Sequence, residues 1–73
     1  MKIKLIDTFN ANHLSTHLSI MAAVKAQRRH LAAVKRANGQ NSYLTYAFRY
    51  SDGTPVDGDE ITAVRMDLDD NFA

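Results

Sequence analysis

Cysteine and tryptophan are absent from this chain of 73 residues, which contains one proline and three glycines. Without cysteine, neither a disulfide nor a thiolate metal site can form, and a reducing cytoplasm is the expected location. Long apolar runs are lacking too, so the sequence predicts neither a membrane span nor a signal peptide. We therefore expect a soluble, cytoplasmic protein without a membrane partner.

Motifs for catalysis are also lacking. The sequence contains no strained nucleophile turn and no Gly-rich phosphate loop. A domain of this size buries only about 60% of the surface of its unfolded chain, which leaves little core around a substrate cavity. We predict that the protein is not an enzyme, has no catalytic residues, takes no small-molecule substrate and needs no cofactor.

Potential metal ligands occur without the spacing of a metal site. His13 and His17 would lie on adjacent turns of a helix, but no carboxylate or thiolate stands at a suitable spacing to complete the ligand set. The acids at 57–60 and 67–70 lack the ligand spacing of a calcium loop. We interpret the histidines as surface residues and the acids as turn formers and a solvated tail, and we predict no metal site.

The first two predicted elements are a strand and a long helix. From Lys2 to Ile6 polar and apolar residues alternate, with Ile3 and Leu5 on one side, as in a half-buried strand. The following segment is free of Gly and Pro up to Ala37, and Asn38-Gly39 is a typical helix end. Three residues are candidate N-caps of this helix: Asn10, Asn12 and Ser15.

Two further strands are predicted after the helix. The segment 43–50 is aromatic and β-branched, and one face carries Leu44, Tyr46, Phe48 and Tyr50. The segment 61–68 alternates again, with Val64, Met66 and Leu68 on one face. Because Asp, Gly and Pro residues at 52–58 are typical of turns, these strands are expected to form a C-terminal hairpin.

These elements predict an α+β domain over residues 1–68, with the order β-α-β-β and one long basic helix packed on a three-stranded sheet. The acidic segment 69–73 is expected to be a frayed tail. The first strand could pair with the last strand, which would make all pairs antiparallel, or with the middle strand in parallel. The sequence leaves both pairings open.

A helical wheel separates apolar from basic side chains. The core face holds Ile20, Ala23, Val24, Leu31 and Val34, with Gln27 among them. The opposite face holds Lys25, Arg28, Arg29, Lys35 and Arg36. If the helix begins near Asn12, three apolar residues lie on its basic side: Leu14, Leu18 and Met21. Either the helix begins or bends later than this, or an exposed apolar cluster flanks the cations. Apolar residues at helical spacing more often lie in the core than on the surface.

The charges are divided along the chain. Asp7 is the one acid among residues 1–49, a segment that holds eight of the nine Lys and Arg residues. Cations without acids at i,i+4 repel one another, and a purely structural surface would normally mix both signs. The simpler interpretation is a solvated helix face that the acids of the hairpin neutralise. The functional interpretation is a surface that binds an anionic partner.

On the functional interpretation, the five cations of the helix contact an acidic protein surface or a nucleic-acid backbone, with Lys2 and Lys4 extending the patch. The exposed edge of the first strand or of the hairpin could add a strand to the partner. The predicted partner-binding residues are therefore Lys25, Arg28, Arg29, Lys35, Arg36, Lys2 and Lys4.

In size, cysteine-free composition and the order of a lysine-bearing first strand, a basic Ala-rich helix and an acidic hairpin, the chain resembles small bacteriophage proteins that bind the host RNA polymerase. The resemblance covers the whole chain and contains no diagnostic motif. It implies a non-enzymatic regulator in the host cytoplasm that inhibits initiation and promotes antitermination. Its partners would be the large polymerase subunits near the RNA exit channel, with the elongation factor NusA as a further partner.

Two alternatives remain open on the sequence. The chain could be a small nucleic-acid-binding protein whose basic helix contacts DNA or nascent RNA, in which case its affinity would fall steeply with salt. It could also be a phage counter-defence inhibitor of another host complex, with the same binding physics and a different target.

Overall fold

A computed structural model of the chain describes residues 1–40 and 45–72. The strands are β1 (Ile3–Asp7), β2 (Asn12–His17) and β3 (Tyr46–Tyr50), and the helices are α1 (Ile20–Asn38) and α2 (Gly58–Phe72). The predicted α+β class is confirmed, since the helix of 19 residues packs on a three-stranded sheet. The predicted order β-α-β-β is wrong, because the order is β-β-α-β-α.

β1 is the central strand of the sheet, whose order is β2-β1-β3 with antiparallel neighbours. The additional strand β2 explains this topology, since it reverses the chain direction before α1 begins. β3 therefore runs antiparallel to β1, and the parallel pairing left open on the sequence does not occur.

The segment expected to begin the helix forms β2 instead. The turn between β1 and β2 is held by Asp7, whose carboxylate accepts hydrogen bonds from the backbone N–H of Phe9 and Asn10 at 2.9 and 3.2 Å and from Asn10 Nδ2 at 2.9 Å. Asn12 and Ser15 pair with β1 rather than cap a helix. A side chain that satisfies turn amides stabilises the turn over a helical continuation.

α1 is capped by Ser19 at its N-terminal end and by Gly39 at its C-terminal end. The Ser19 hydroxyl accepts a hydrogen bond from the N–H of Ala22 at 3.1 Å, which satisfies one of the free donors of the first turn. At the other end Gly39 has a φ of 105°, which glycine adopts without strain, and its N–H donates to the carbonyl of Lys35 at 2.8 Å. The predicted helix end is confirmed, and the predicted start is wrong.

The three ambiguous apolar residues have different environments. Leu14 in β2 and Met21 in α1 are half-buried and pack against the core. Leu18 lies between β2 and α1 and is 83% exposed. The later start of the helix explains why the three do not form one apolar stripe beside the cations.

The core lies between one face of the sheet and the two helices. Its buried residues come from β1, α1, β3, α2 and the segment before α2, and are Ile3, Leu5, Ala23, Val24, Phe48, Val56 and Leu68. Tyr46 and Tyr50 pack at its margin, which confirms the predicted inward face of β3 for the described residues. Tyr43 and Leu44 lie outside the described residues.

α2 replaces the second strand of the expected hairpin. Leu68 is buried and Ile61 and Val64 pack against the core, whereas Met66 is 63% exposed. Residues at i, i+3 and i+7 share a helix face, so the core side follows a helical period instead of the alternation we inferred. Asp57 caps the helix, because its Oδ1 accepts a hydrogen bond from the N–H of Asp59 at 2.8 Å. Asp69 and Asp70, expected in a frayed tail, belong to α2.

A polar cluster lies where β1 and β3 meet α1. Asp7 and Tyr46 are cross-strand partners, and the Tyr46 hydroxyl shares a hydrogen bond of 2.8 Å with His30 Nδ1. The hydrogen bond from the Asn10 side chain holds the pKa of Asp7 below its ordinary value of 3.8, although burial opposes this shift. Burial raises the pKa of Tyr46 above 10.0, and the nearby Asp7 carboxylate adds to the effect. The buried carboxylate is satisfied by Phe9 and Asn10 of the turn, and the hydrogen bond between Tyr46 and His30 joins β3 to α1 beside it.

Candidate functional site: the basic surface of α1

Three of the five predicted helix cations form one exposed surface. We call Lys25, Arg29 and Arg36 the outer basic surface of α1; all three are exposed. At a rise of about 1.5 Å per residue, Lys25 and Arg29 are about 6 Å apart along the helix axis, and Arg36 is about 10 Å further on. Lys35 is half-buried, which places it nearer the core side of the helix. The structure therefore brings together three of the five cations on the outer side of α1.

Arg28 differs from these three because it contacts α2. Its guanidinium forms a salt bridge of 2.9 Å with Asp69 and donates a hydrogen bond of 3.3 Å to the Arg65 carbonyl. Side-chain exposures of 40% for Arg28 and 67% for Asp69 place the bridge at the surface. Arg28 thus helps to hold the two helices together and is only partly available to an external partner.

Arg65 makes the reciprocal contact from α2. Its guanidinium donates a hydrogen bond of 3.2 Å to Gln27 Oε1 and lies 5.9 Å from the centre of the Phe48 ring, within the range of a cation–π interaction. Gln27, the polar residue on the predicted core face, is therefore half-buried because it binds Arg65 at the helix–helix contact.

The acids of α2 neutralise little of the basic helix. Asp59, Glu60, Asp67, Asp69 and Asp70 are all exposed. Within the described residues one salt bridge forms, that between Arg28 and Asp69. The expectation that acids of the C-terminal part could fold over the cations is thus met at Arg28 alone, and the outer basic surface remains without an ionic partner in this part of the chain.

Lys2 and Lys4 do not extend the outer basic surface. Ile3 and Leu5 of β1 point into the core beneath the helices, so Lys4, which alternates with them, lies on the opposite face of the sheet. There Lys4 is the cross-strand partner of Arg49, and exposed Lys2 precedes the strand. Lys4 and Arg49 therefore form a second, separate basic surface on the open face of the sheet, although like charges directly opposite each other are unfavourable.

The edge of β1 is unavailable for strand addition, since β1 pairs with β2 on one side and with β3 on the other. This part of the sequence-based prediction is wrong, as is the proposed edge of a C-terminal hairpin. On β3, the N–H of Val56 donates to the carbonyl of Phe48 at 3.0 Å and that of Tyr50 donates to the carbonyl of Thr54 at 2.8 Å. The segment before α2 thus covers part of the outer edge of β3.

The histidines considered as metal ligands lie on β2 rather than on a helical turn. His13 Nε2 shares hydrogen bonds with the Ser15 carbonyl and the Thr16 hydroxyl, and His17 Nε2 shares one with the Ser15 hydroxyl. Within residues 1–40 and 45–72, no group of three or more His, Asp or Glu residues is arranged to hold a metal ion. Neither α1 nor α2 combines the length and apolar character of a membrane-spanning helix.

Comparison of the chain with protein-family models, curated proteins and solved structures found no match in any of the three.

The contact of Arg28 with α2 could not be inferred from the sequence, whereas the helical character of α2 could have been. Ile61, Val64, Arg65 and Leu68 follow the i, i+3, i+4, i+7 spacing, and Asp57 followed by acids at 59 and 60 is typical of a helix start. Given α2 as a helix, a contact with α1 is expected, because a helix with one apolar face must bury it.

Proposed function

We propose that this protein is a non-enzymatic binding module that docks on an acidic protein surface through the outer basic surface of α1. The proposal is supported chiefly by the exposure of Lys25, Arg29 and Arg36 without an ion pair among the described residues. Lys25 and Arg29 stand at i,i+4, where like charges destabilise a helix. An anionic partner would relieve this repulsion on binding.

The partner that we propose is a bacterial RNA polymerase, on the strength of the resemblance to small bacteriophage polymerase-binding proteins. In this proposal the protein docks on the large subunits in the host cytoplasm, inhibits initiation and promotes antitermination, with NusA and nascent RNA as neighbours in the complex. Complementary charge would accelerate the encounter and orient the module. The acids of α2 would disfavour docking of the opposite side on the same surface.

Charge reversal on α1 tests this proposal. Arg29→Glu/Arg36→Glu should weaken binding to purified bacterial RNA polymerase by about tenfold or more, because it places two acids on the docking surface. Lys2→Glu/Lys4→Glu is the matched control, since it changes the net charge equally but lies away from α1. Arg28 stays unchanged because its reversal would also break the bridge to Asp69.

Binding is measured by surface plasmon resonance, and terminator readthrough is measured in a purified transcription reaction. Equal loss of binding in both variants would indicate a general charge effect, and no loss in the helix variant would contradict the proposed surface. Wild-type protein that does not bind polymerase would contradict the proposed partner. Binding to bare RNA or DNA that falls by roughly 10³-fold between 50 and 200 mM salt would favour the nucleic-acid alternative.

A further inference from the structure

A groove runs beside α1 where this helix faces α2. It has a volume of about 300 Å³ and is lined by Lys25, Arg28, Arg29 and Leu68, mainly through apolar surface. Leu68 is 3% exposed, so it lies at the bottom of the groove and contributes little surface, and the aliphatic parts of the basic side chains form most of the apolar lining. The groove thus combines an apolar floor with a cationic rim.

The rim is only partly neutralised. Arg28 is held by Asp69 at 2.9 Å, whereas Lys25 and Arg29 form no ion pair among the described residues. These two residues are one helical turn apart, so their charges flank the same opening. A ligand that fits would therefore present negative charge to the rim and an apolar group to the floor.

We propose that this groove binds an acidic protein segment through one large apolar side chain, with flanking carboxylates on Lys25 and Arg29. This inference rests on the proposed docking function and specifies the chemistry of the partner. A phosphate backbone carries no apolar group for the floor. A nucleic-acid base could enter, but none of the lining residues that the structure describes is an aromatic residue on which it could stack.

A second groove, of about 410 Å³, lies between β3 and α2 and is lined in part by Phe48, Pro55, Ile61 and Arg65. Its cation already contacts Gln27 and the Phe48 ring. Among the lining residues that the structure describes, this second groove has no further cation to select an acidic segment, whereas the groove beside α1 combines both features.

The test uses two short fluorescein-labelled peptides of glutamate and alanine that differ only at a central residue, phenylalanine or alanine. The Phe peptide should bind at least about tenfold more tightly by fluorescence anisotropy, because burial of one large apolar side chain contributes to binding. In methyl NMR spectra, the Phe peptide should shift the Leu68 signals and the Ala peptide should not. Equal affinities, no binding of either peptide, or unshifted Leu68 signals would overturn the proposal.

Protein variants separate this inference from the proposed function. Arg29→Gln should weaken binding of the Phe peptide at least about threefold by removing a rim charge, whereas Lys2→Gln, which removes a charge away from α1, should change it less than about twofold. Equal effects of the two variants would overturn the groove assignment. Phe-dependent binding without polymerase binding would contradict the proposed function alone. Polymerase binding through α1 without Phe dependence would contradict the groove alone.

Discussion

The two helices pack against the same core but carry opposite charges. α1 has no acid in its first turn and has Lys35 and Arg36 in its last turn, which suits the negative end of the helix dipole. α2 has Asp59 and Glu60 in its first turn, which is also favourable, but no basic residue in its last turn. Asp69, near this end, obtains a cation from α1 through Arg28.

This difference indicates which helix has charge available for a partner. α1 stabilises its own C-terminal end and still exposes Lys25, Arg29 and Arg36. α2 uses one cation of α1 to offset the acids near its C-terminal end. The basic helix can therefore bind an external anion with little loss of internal contacts, whereas the acidic helix is partly committed to its neighbour.

The largest expected effect tests whether α2 packs as a helix. Leu68→Ala should lower the free energy of unfolding by about 2–5 kcal/mol, because it removes a buried side chain and leaves a cavity. Met66→Ala is the control and should change it by less than about 0.5 kcal/mol, because Met66 is exposed. Urea unfolding followed by circular dichroism measures both. Similar losses in both variants would instead indicate the alternating strand.

The N-caps of α1 and α2 should contribute equally to the free energy of unfolding. Ser19→Ala and Asp57→Ala should each cost about 0.5–2 kcal/mol in urea unfolding, because each removes the acceptor for a first-turn N–H. Asn12→Ala, at a candidate cap that lies in β2, should cost less than about 0.5 kcal/mol. A loss at Asn12 as large as that at Ser19 would contradict the observed start of α1.

The salt bridge between Arg28 of α1 and Asp69 of α2 should contribute less to the free energy of unfolding than the caps do. A double-mutant cycle with Arg28→Gln and Asp69→Asn should give a coupling free energy of about 0–1 kcal/mol, which should fall as salt is added. The same cycle with Arg29→Gln in place of Arg28→Gln should give a coupling near zero. Equal coupling for the two arginines would mean that Arg29 is not free for a partner.

Acid should remove the stability that the buried Asp7 carboxylate contributes. The pKa of Asp7 is lowered by hydrogen bonds in the folded state, so its contribution to stability is present above about pH 3.8 and is lost as the pH falls through the lower folded pKa. Asp7→Asn should therefore flatten the pH dependence of unfolding below pH 3.8 relative to the wild-type protein. An Asp7→Asn variant with the pH profile of the wild-type protein would contradict this assignment.

The sequence predicted the elements whose signals are local. Residues 2–5 around the start of β1 alternate between lysine and apolar residues, β3 is rich in aromatic residues, and Asn38-Gly39 ends α1 as expected. β2 was missed because it is polar and lies among candidate caps, and its pairing with β1 depends on the turn that Asp7 holds. α2 was misread because Val64, Met66 and Leu68 alternate while Ile61, Val64 and Leu68 also fit a helix, and burial distinguishes the two patterns.

The sequence likewise predicted one part of the candidate site and missed another. The concentration of cations on α1 is a property of the sequence, because helical spacing alone sorts Lys25, Arg29 and Arg36 to one side. Their separation from Arg28 and from Lys4 is not, because it depends on where α2 and the sheet lie. Sequence reasoning therefore predicted the basic helix but could not identify which of its cations form no ion pair among the described residues.

By itself, the sequence determined the α+β class, the end of the basic helix and the division of charge, since each depends on residues close together in the chain. Tertiary structure alone decided the central position of β1, the salt bridge between Arg28 and Asp69 and the groove above Leu68. Those features join residues far apart in the chain, and the physical reason is that their contacts form only when the apolar faces of both helices are buried on one side of the sheet.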